Sequence, residues 1–78
     1  MDEITQTAFR KLWQLWQNNQ GIGSDPEEWD RVIEQSAEIW KASAEAKDPQ
    51  FITDFTVAVL ESLDRIALAN SGKNNVHP

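Results

Sequence analysis

Apolar side chains recur every three or four positions through the first 20 residues of the chain. Placed at about 100° per residue, they collect on one half of a helix, and Gln, Asn, Arg and Lys take the other half. This period predicts an amphipathic helix over residues 2–20. Gly21 suits a left-handed cap at its end, and Ile22 suits the apolar contact that accompanies such a cap.

Two Asp-Pro pairs predict the starts of two further helices. Asp25 and Asp48 are each followed by proline, so that a carboxylate accepts hydrogen bonds from free backbone amides and proline fits the first turn. The apolar period after these pairs predicts helices over residues 25–47 and 49–70.

The predicted fold class is all-α, because no segment shows the alternation of a strand. Three helices joined by short loops favour a compact antiparallel three-helix bundle. We expect residues 1–72 to form a single helical domain. Residues 73–78 have too little apolar content to pack, which predicts a short disordered tail.

The aromatic residues are expected to form the core, because their spacing places them on the apolar sides of the helices. Trp13 and Trp16 lie near Arg10 and Lys11 and suggest a surface on which bases stack. Two cations are too few for a nucleic-acid groove on this chain, so a core role is favoured. The predicted aromatic core comprises Phe9, Trp13, Trp16, Trp29, Trp40, Phe51 and Phe55.

The net charge argues against direct nucleic-acid binding. The 78 residues include 13 acidic and 7 basic side chains, which gives −6 at pH 7. A nucleic-acid-binding protein needs cationic side chains that neutralise phosphates and so release the counterions around them. The negative field of this chain instead favours a partner protein with a basic surface.

One side of the predicted second helix carries a series of carboxylates, named here the acidic ridge. Asp30, Glu34 and Glu38 follow one another at i,i+4 spacing, which disfavours an isolated helix by about 0.2–0.5 kcal/mol per pair. This pattern fits either a solvated helix face or a surface that binds a partner. The acidic ridge comprises Glu27, Asp30, Glu34, Glu38 and Glu45.

Two alternative functions follow from the surface pattern. Carboxylates one turn apart rise about 6 Å along a helix, near the phosphate spacing of an extended strand, which would suit a phage or mobile-element inhibitor that imitates nucleic acid and blocks a basic cleft. The third helix also has apolar residues beyond its core face, which would suit self-association in a structural homo-oligomer. This apolar α3 patch comprises Val57, Leu60 and Leu68.

Catalytic and metal-binding patterns are missing from the sequence. His77 is the only histidine, there is no cysteine, and no nucleophile–base pair or phosphate loop can be assembled. We therefore expect no enzyme, no cofactor and no metal. The stretch 51–69 contains four charged residues, so a membrane span is not expected.

The sequence thus predicts a small, acidic, cytoplasmic protein that acts by binding another protein. The acidic ridge is the first candidate contact surface, and the apolar α3 patch is the second.

Overall fold

Three helices make up the described part of the chain, residues 2–74 of the computed structural model. They are α1 (Glu3–Asn18), α2 (Pro26–Ala42) and α3 (Pro49–Asn74). Every helix contacts the other two, and α3 packs mainly against α1 and least against α2. The predicted all-α three-helix bundle is confirmed.

Helix direction follows from the side chains that meet. Phe9 stacks on Phe55, and the Trp16 indole donates a hydrogen bond to the Ser62 hydroxyl, so α1 and α3 advance in parallel. Along the α1–α2 groove, early residues of α1 lie beside the end of α2, and late residues of α1 lie beside its middle. Helix α2 therefore runs antiparallel to both of the others.

An aspartate precedes each helix and accepts hydrogen bonds from its first turn. Asp2 accepts from the backbone N–H of Thr5 at 3.2 Å and from its hydroxyl at 2.5 Å. Asp25 and Asp48 accept from first-turn N–H groups at 3.0 and 3.2 Å. The Thr5 hydroxyl is the largest cause that lowers the pKa of Asp2, because its hydrogen bond favours the ionised carboxylate.

Side-chain amides, and not a glycine, end α1. Asn19 and Gln20 each donate to the carbonyl four residues earlier, both at 2.7 Å, and so satisfy the carbonyls left free at the helix end. Gly21 has no positive φ, so the predicted left-handed cap is wrong. Ile22 is only 1% exposed and anchors the connection in the core.

Helix α2 ends five residues earlier than predicted, and α3 ends four residues later. The Ser43 hydroxyl donates a hydrogen bond to the Ile39 carbonyl at 2.6 Å. The residues after Ser43 form turns that bury Ala46. Helix α3 continues through Gly72 to Asn74. The rest of the predicted tail, residues 75–78, lies outside the described residues.

The core is aliphatic, so the predicted aromatic core is wrong. Trp16, Trp29 and Phe55 are partly buried against the core, and the other four aromatic residues of that set, Phe9, Trp13, Trp40 and Phe51, are exposed. The buried apolar residues are Ala8, Leu12, Leu15, Ile22, Val32, Ile39, Ala46, Ile52, Val59, Leu63 and Ala67.

Ring size and the indole N–H explain this outcome. Helix axes in contact lie about 8–10 Å apart, and the alanines of this core favour the close end of that range, which leaves little room for a ring between three helices. Three tryptophans also place the indole N–H against an acceptor at the edge of the bundle: Trp16 on Ser62, Trp29 on the Gly23 carbonyl and Trp40 on Thr53. A ring with a polar end fits an edge better than a centre.

Candidate functional site

Five aromatic residues form a continuous surface along the groove between α1 and α3. Phe55 stacks on Phe9 with ring centroids 4.8 Å apart and lies parallel to Phe51 at 6.3 Å. Further along α1, Trp13 stacks on Trp16 at 5.3 Å. Phe9, Trp13 and Phe51 are 42%, 45% and 38% exposed. We name this set the aromatic strip: Phe9, Trp13, Trp16, Phe51 and Phe55.

A hollow lies between the two tryptophans of the aromatic strip and α3. Its volume is about 160 Å³, and Phe55, Ala58 and Ser62 contribute to its α3 wall. A cavity near 150 Å³ accommodates a benzene ring, so the hollow has the size of one aromatic side chain. The Trp13 indole N–H donates to no group of residues 2–74, unlike the other three indoles.

The acidic ridge divides into a helical part and a separate residue. Four of its members lie on α2, and all five are exposed. Glu27, Asp30 and Glu34 lie on the side of α2 away from the buried Val32, Ser36 and Ile39, whereas Glu38 borders the groove between α2 and α1. Glu45 lies beyond the end of α2, in the connection to α3. Only four of the five predicted ridge residues therefore lie on one helix, and Glu45 stands apart from them.

Charge is distributed unevenly over the helices of the bundle. Helix α2 carries five acidic and two basic residues, whereas α1 carries one acidic residue, Glu3, and two basic ones, Arg10 and Lys11. Arg10 borders the aromatic strip beside Phe9 and Trp13. Helix α3, which forms the other wall of the aromatic strip, carries three exposed carboxylates, Asp54, Glu61 and Asp64. The segregation of charge is therefore between α1 and α2.

The apolar α3 patch is not continuous. Leu60 is partly buried against the core, whereas Val57 and Leu68 are 48% and 66% exposed. The two exposed residues are about 16 Å apart along the helix axis, and the exposed carboxylates of Glu61 and Asp64 follow between them in sequence. These residues do not form a single apolar contact surface.

The sequence did contain the signal for the aromatic strip. Phe9, Trp13 and Trp16 have helical i,i+4 and i,i+3 spacing, and so do Phe51 and Phe55. Periodicity placed both sets on apolar faces but did not distinguish the centre of a face from its edge. The aliphatic residues between them fill the centre.

Within residues 2–74, no helix has the length and apolar character that a bilayer span requires. No group of three or more acidic, His or Cys side chains in that same range is arranged to hold a metal ion. His77 lies outside the described residues. Comparison of the chain with protein-family models, curated proteins and solved structures finds no match.

Proposed function

We propose that this chain is a small, non-catalytic protein-binding module of the cytoplasm that recognises a basic surface on a partner protein through its acidic ridge. One observation carries the proposal. Every carboxylate of the acidic ridge is exposed, and three of them, Glu27, Asp30 and Glu34, share the outer side of α2, opposite the aromatic strip.

The energetics of α2 support a binding role for these residues. Asp30 and Glu34, and then Glu34 and Glu38, are like-charge neighbours one turn apart, and each pair costs about 0.2–0.5 kcal/mol. A basic surface would remove that repulsion on binding. Exposed carboxylates also increase the rate of association with such a surface.

The test is affinity capture from a lysate of the source organism with two variants of equal charge change. The ridge variant carries Glu27→Gln, Glu34→Gln and Glu38→Gln, and the control carries Asp54→Asn, Glu61→Gln and Asp64→Asn, all exposed on α3. We expect wild type and the control to retain one basic partner and the ridge variant to lose it. Equal capture by all three proteins contradicts the proposal.

The spacing of the carboxylates supports a second candidate, an inhibitor that imitates nucleic acid. Asp30, Glu34 and Glu38 rise by about 6 Å per step, and the four α2 carboxylates extend over about 16 Å, which matches only a few phosphates. Duplex DNA added to the captured complex separates the two candidates. Release of the partner by DNA supports the inhibitor, and retention supports a module that binds a basic surface other than a nucleic-acid site.

A further inference from the structure

We infer that the aromatic strip is the interface of a homodimer, in which two copies of this chain pack their α1–α3 faces together about a twofold axis. This inference goes beyond the acidic ridge, because it concerns the opposite side of the bundle and does not depend on any other partner.

The aromatic strip is self-complementary along its length. One end carries the 38% exposed ring of Phe51, and the other end carries the ring-sized hollow that Ser62 helps to line. These two residues are about 16 Å apart along α3. A twofold axis that lies in the plane of the face, across α1 and α3 and midway between Phe51 and the hollow, places each ring opposite the hollow of the other copy. The same surface then serves both copies, as an isologous interface requires.

The available area matches that of a weak dimer. Helix α1 has 16 residues and is therefore about 24 Å long, and two helices side by side are about 20 Å wide. The face thus covers about 480 Å² on each copy, or roughly 1,000 Å² in total, which is near the lower limit for specific protein contacts. We therefore expect a weak, reversible dimer.

The placement of the α2 carboxylates permits a second copy in this orientation. Each chain carries −6, so two copies repel unless their acidic residues are kept apart. Packing through the aromatic strip places the two α2 helices on the outside, about three helix spacings or roughly 27 Å apart. That separation greatly exceeds the Debye length of about 8 Å at physiological ionic strength. The repulsion between the α2 carboxylates is then largely screened.

A polar group on the aromatic strip also lacks a partner within the domain. The Trp13 indole N–H makes no hydrogen bond with residues 2–74, although the other three tryptophans are satisfied. The ring is 45% exposed, so water solvates this N–H in the monomer. It is therefore the one indole donor of residues 2–74 that a second copy can satisfy.

Sedimentation equilibrium of the full chain, from about 1 µM to about 1 mM, tests the dimer. The matched variants are Ala58→Arg, which fills the hollow, and Ala37→Arg, which adds the same charge at an exposed position of α2. Arginine is a good helix former, and both alanines are exposed, so both variants are expected to fold, as circular dichroism would verify. We expect wild type and Ala37→Arg to approach twice the chain mass of 8.9 kDa, and Ala58→Arg to dissociate at least about tenfold more readily.

A second matched pair tests the rings themselves. Trp13→Ala removes a ring of the aromatic strip that is 45% exposed, and Trp40→Ala removes a 52% exposed ring at the α2–α3 edge. We expect only Trp13→Ala to weaken the dimer. Wild type that stays monomeric at about 1 mM, or dimers weakened equally by both members of either pair, would overturn the inference. A monomer that instead binds a different protein through the aromatic strip would also overturn it. If affinity capture finds no partner that depends on the acidic ridge, that result contradicts only the proposed function and leaves the homodimer unaffected.

Discussion

Leu63 and Leu68 are five residues apart on α3 and have opposite surroundings. Leu63 is 0% exposed at the centre of the bundle, and Leu68 is 66% exposed. We expect Leu63→Ala to lower the free energy of unfolding by about 2–5 kcal/mol, because it removes buried contacts and leaves a cavity. Urea denaturation followed by circular dichroism measures this loss.

Leu68→Ala is the matched control, since it makes the same chemical change on the same helix. Its effect should lie within about 0.5 kcal/mol, as is usual for an exposed position. A large loss from Leu68→Ala in dilute monomer would mean that its side chain packs against the protein and would contradict its assigned exposure.

At the level of single residues, sequence period identified the apolar faces but not the centre of each face. Leu12 and Trp13 are neighbours on one apolar face, and the structure buries the first and exposes the second. A helical wheel records only angle. Burial also depends on how closely two partner helices approach, which the spacing of residues along one helix does not determine.

At the level of elements, the side chain of Asn70 joins the end of α3 to the connection between α1 and α2. Its amide donates to the carbonyl of Gln20 at 3.1 Å and to that of Ile22 at 2.8 Å. We expect Asn70→Ala to lower the free energy of unfolding by about 1–3 kcal/mol, because the partly buried Ile22 carbonyl loses its partner. Hydrogen exchange at the Ile22 N–H should accelerate more than exchange in the middle of α1.

Asn18→Ala is the control for this prediction, because Asn18 is exposed in the last turn of α1. Alanine has the higher helix propensity, so this variant should be equal to wild type or slightly more stable. Equal exchange rates at Ile22 in wild type and Asn70→Ala would contradict the role assigned to Asn70.

Helix starts could be predicted from the sequence, and helix ends could not. Asp25 and Asp48 act through a local carboxylate–amide bond that the Asp-Pro pair encodes directly. The end of α2 depends on the buried Ala46 and on the Ser43 hydroxyl, and residues 43–47 have the composition of a good helix. Tertiary packing overrides that local preference, and it also separates Glu45 from the rest of the acidic ridge.

At the scale of the whole molecule, the fold assigns its two unusual surfaces to opposite sides. Parallel α1 and α3 present the aromatic strip, and α2 presents the helical part of the acidic ridge. Dimerisation through the aromatic strip would leave two ridges facing outward. Two ridges on one particle would bind a partner with repeated basic sites more tightly than a single ridge, through a raised effective concentration.

These two proposed contacts should respond to salt in opposite directions. Two chains of charge −6 repel, and the Debye length falls from about 30 Å at 0.01 M to about 8 Å at 0.15 M ionic strength. Sodium chloride should therefore tighten the homodimer over this range, because it screens repulsion between copies. The same salt should weaken the complex between the acidic ridge and a basic partner, because it screens attraction. Sedimentation and capture at both ionic strengths measure the two effects. A homodimer that weakens as salt is added would show that charged contacts, and not the rings of the aromatic strip, hold it together.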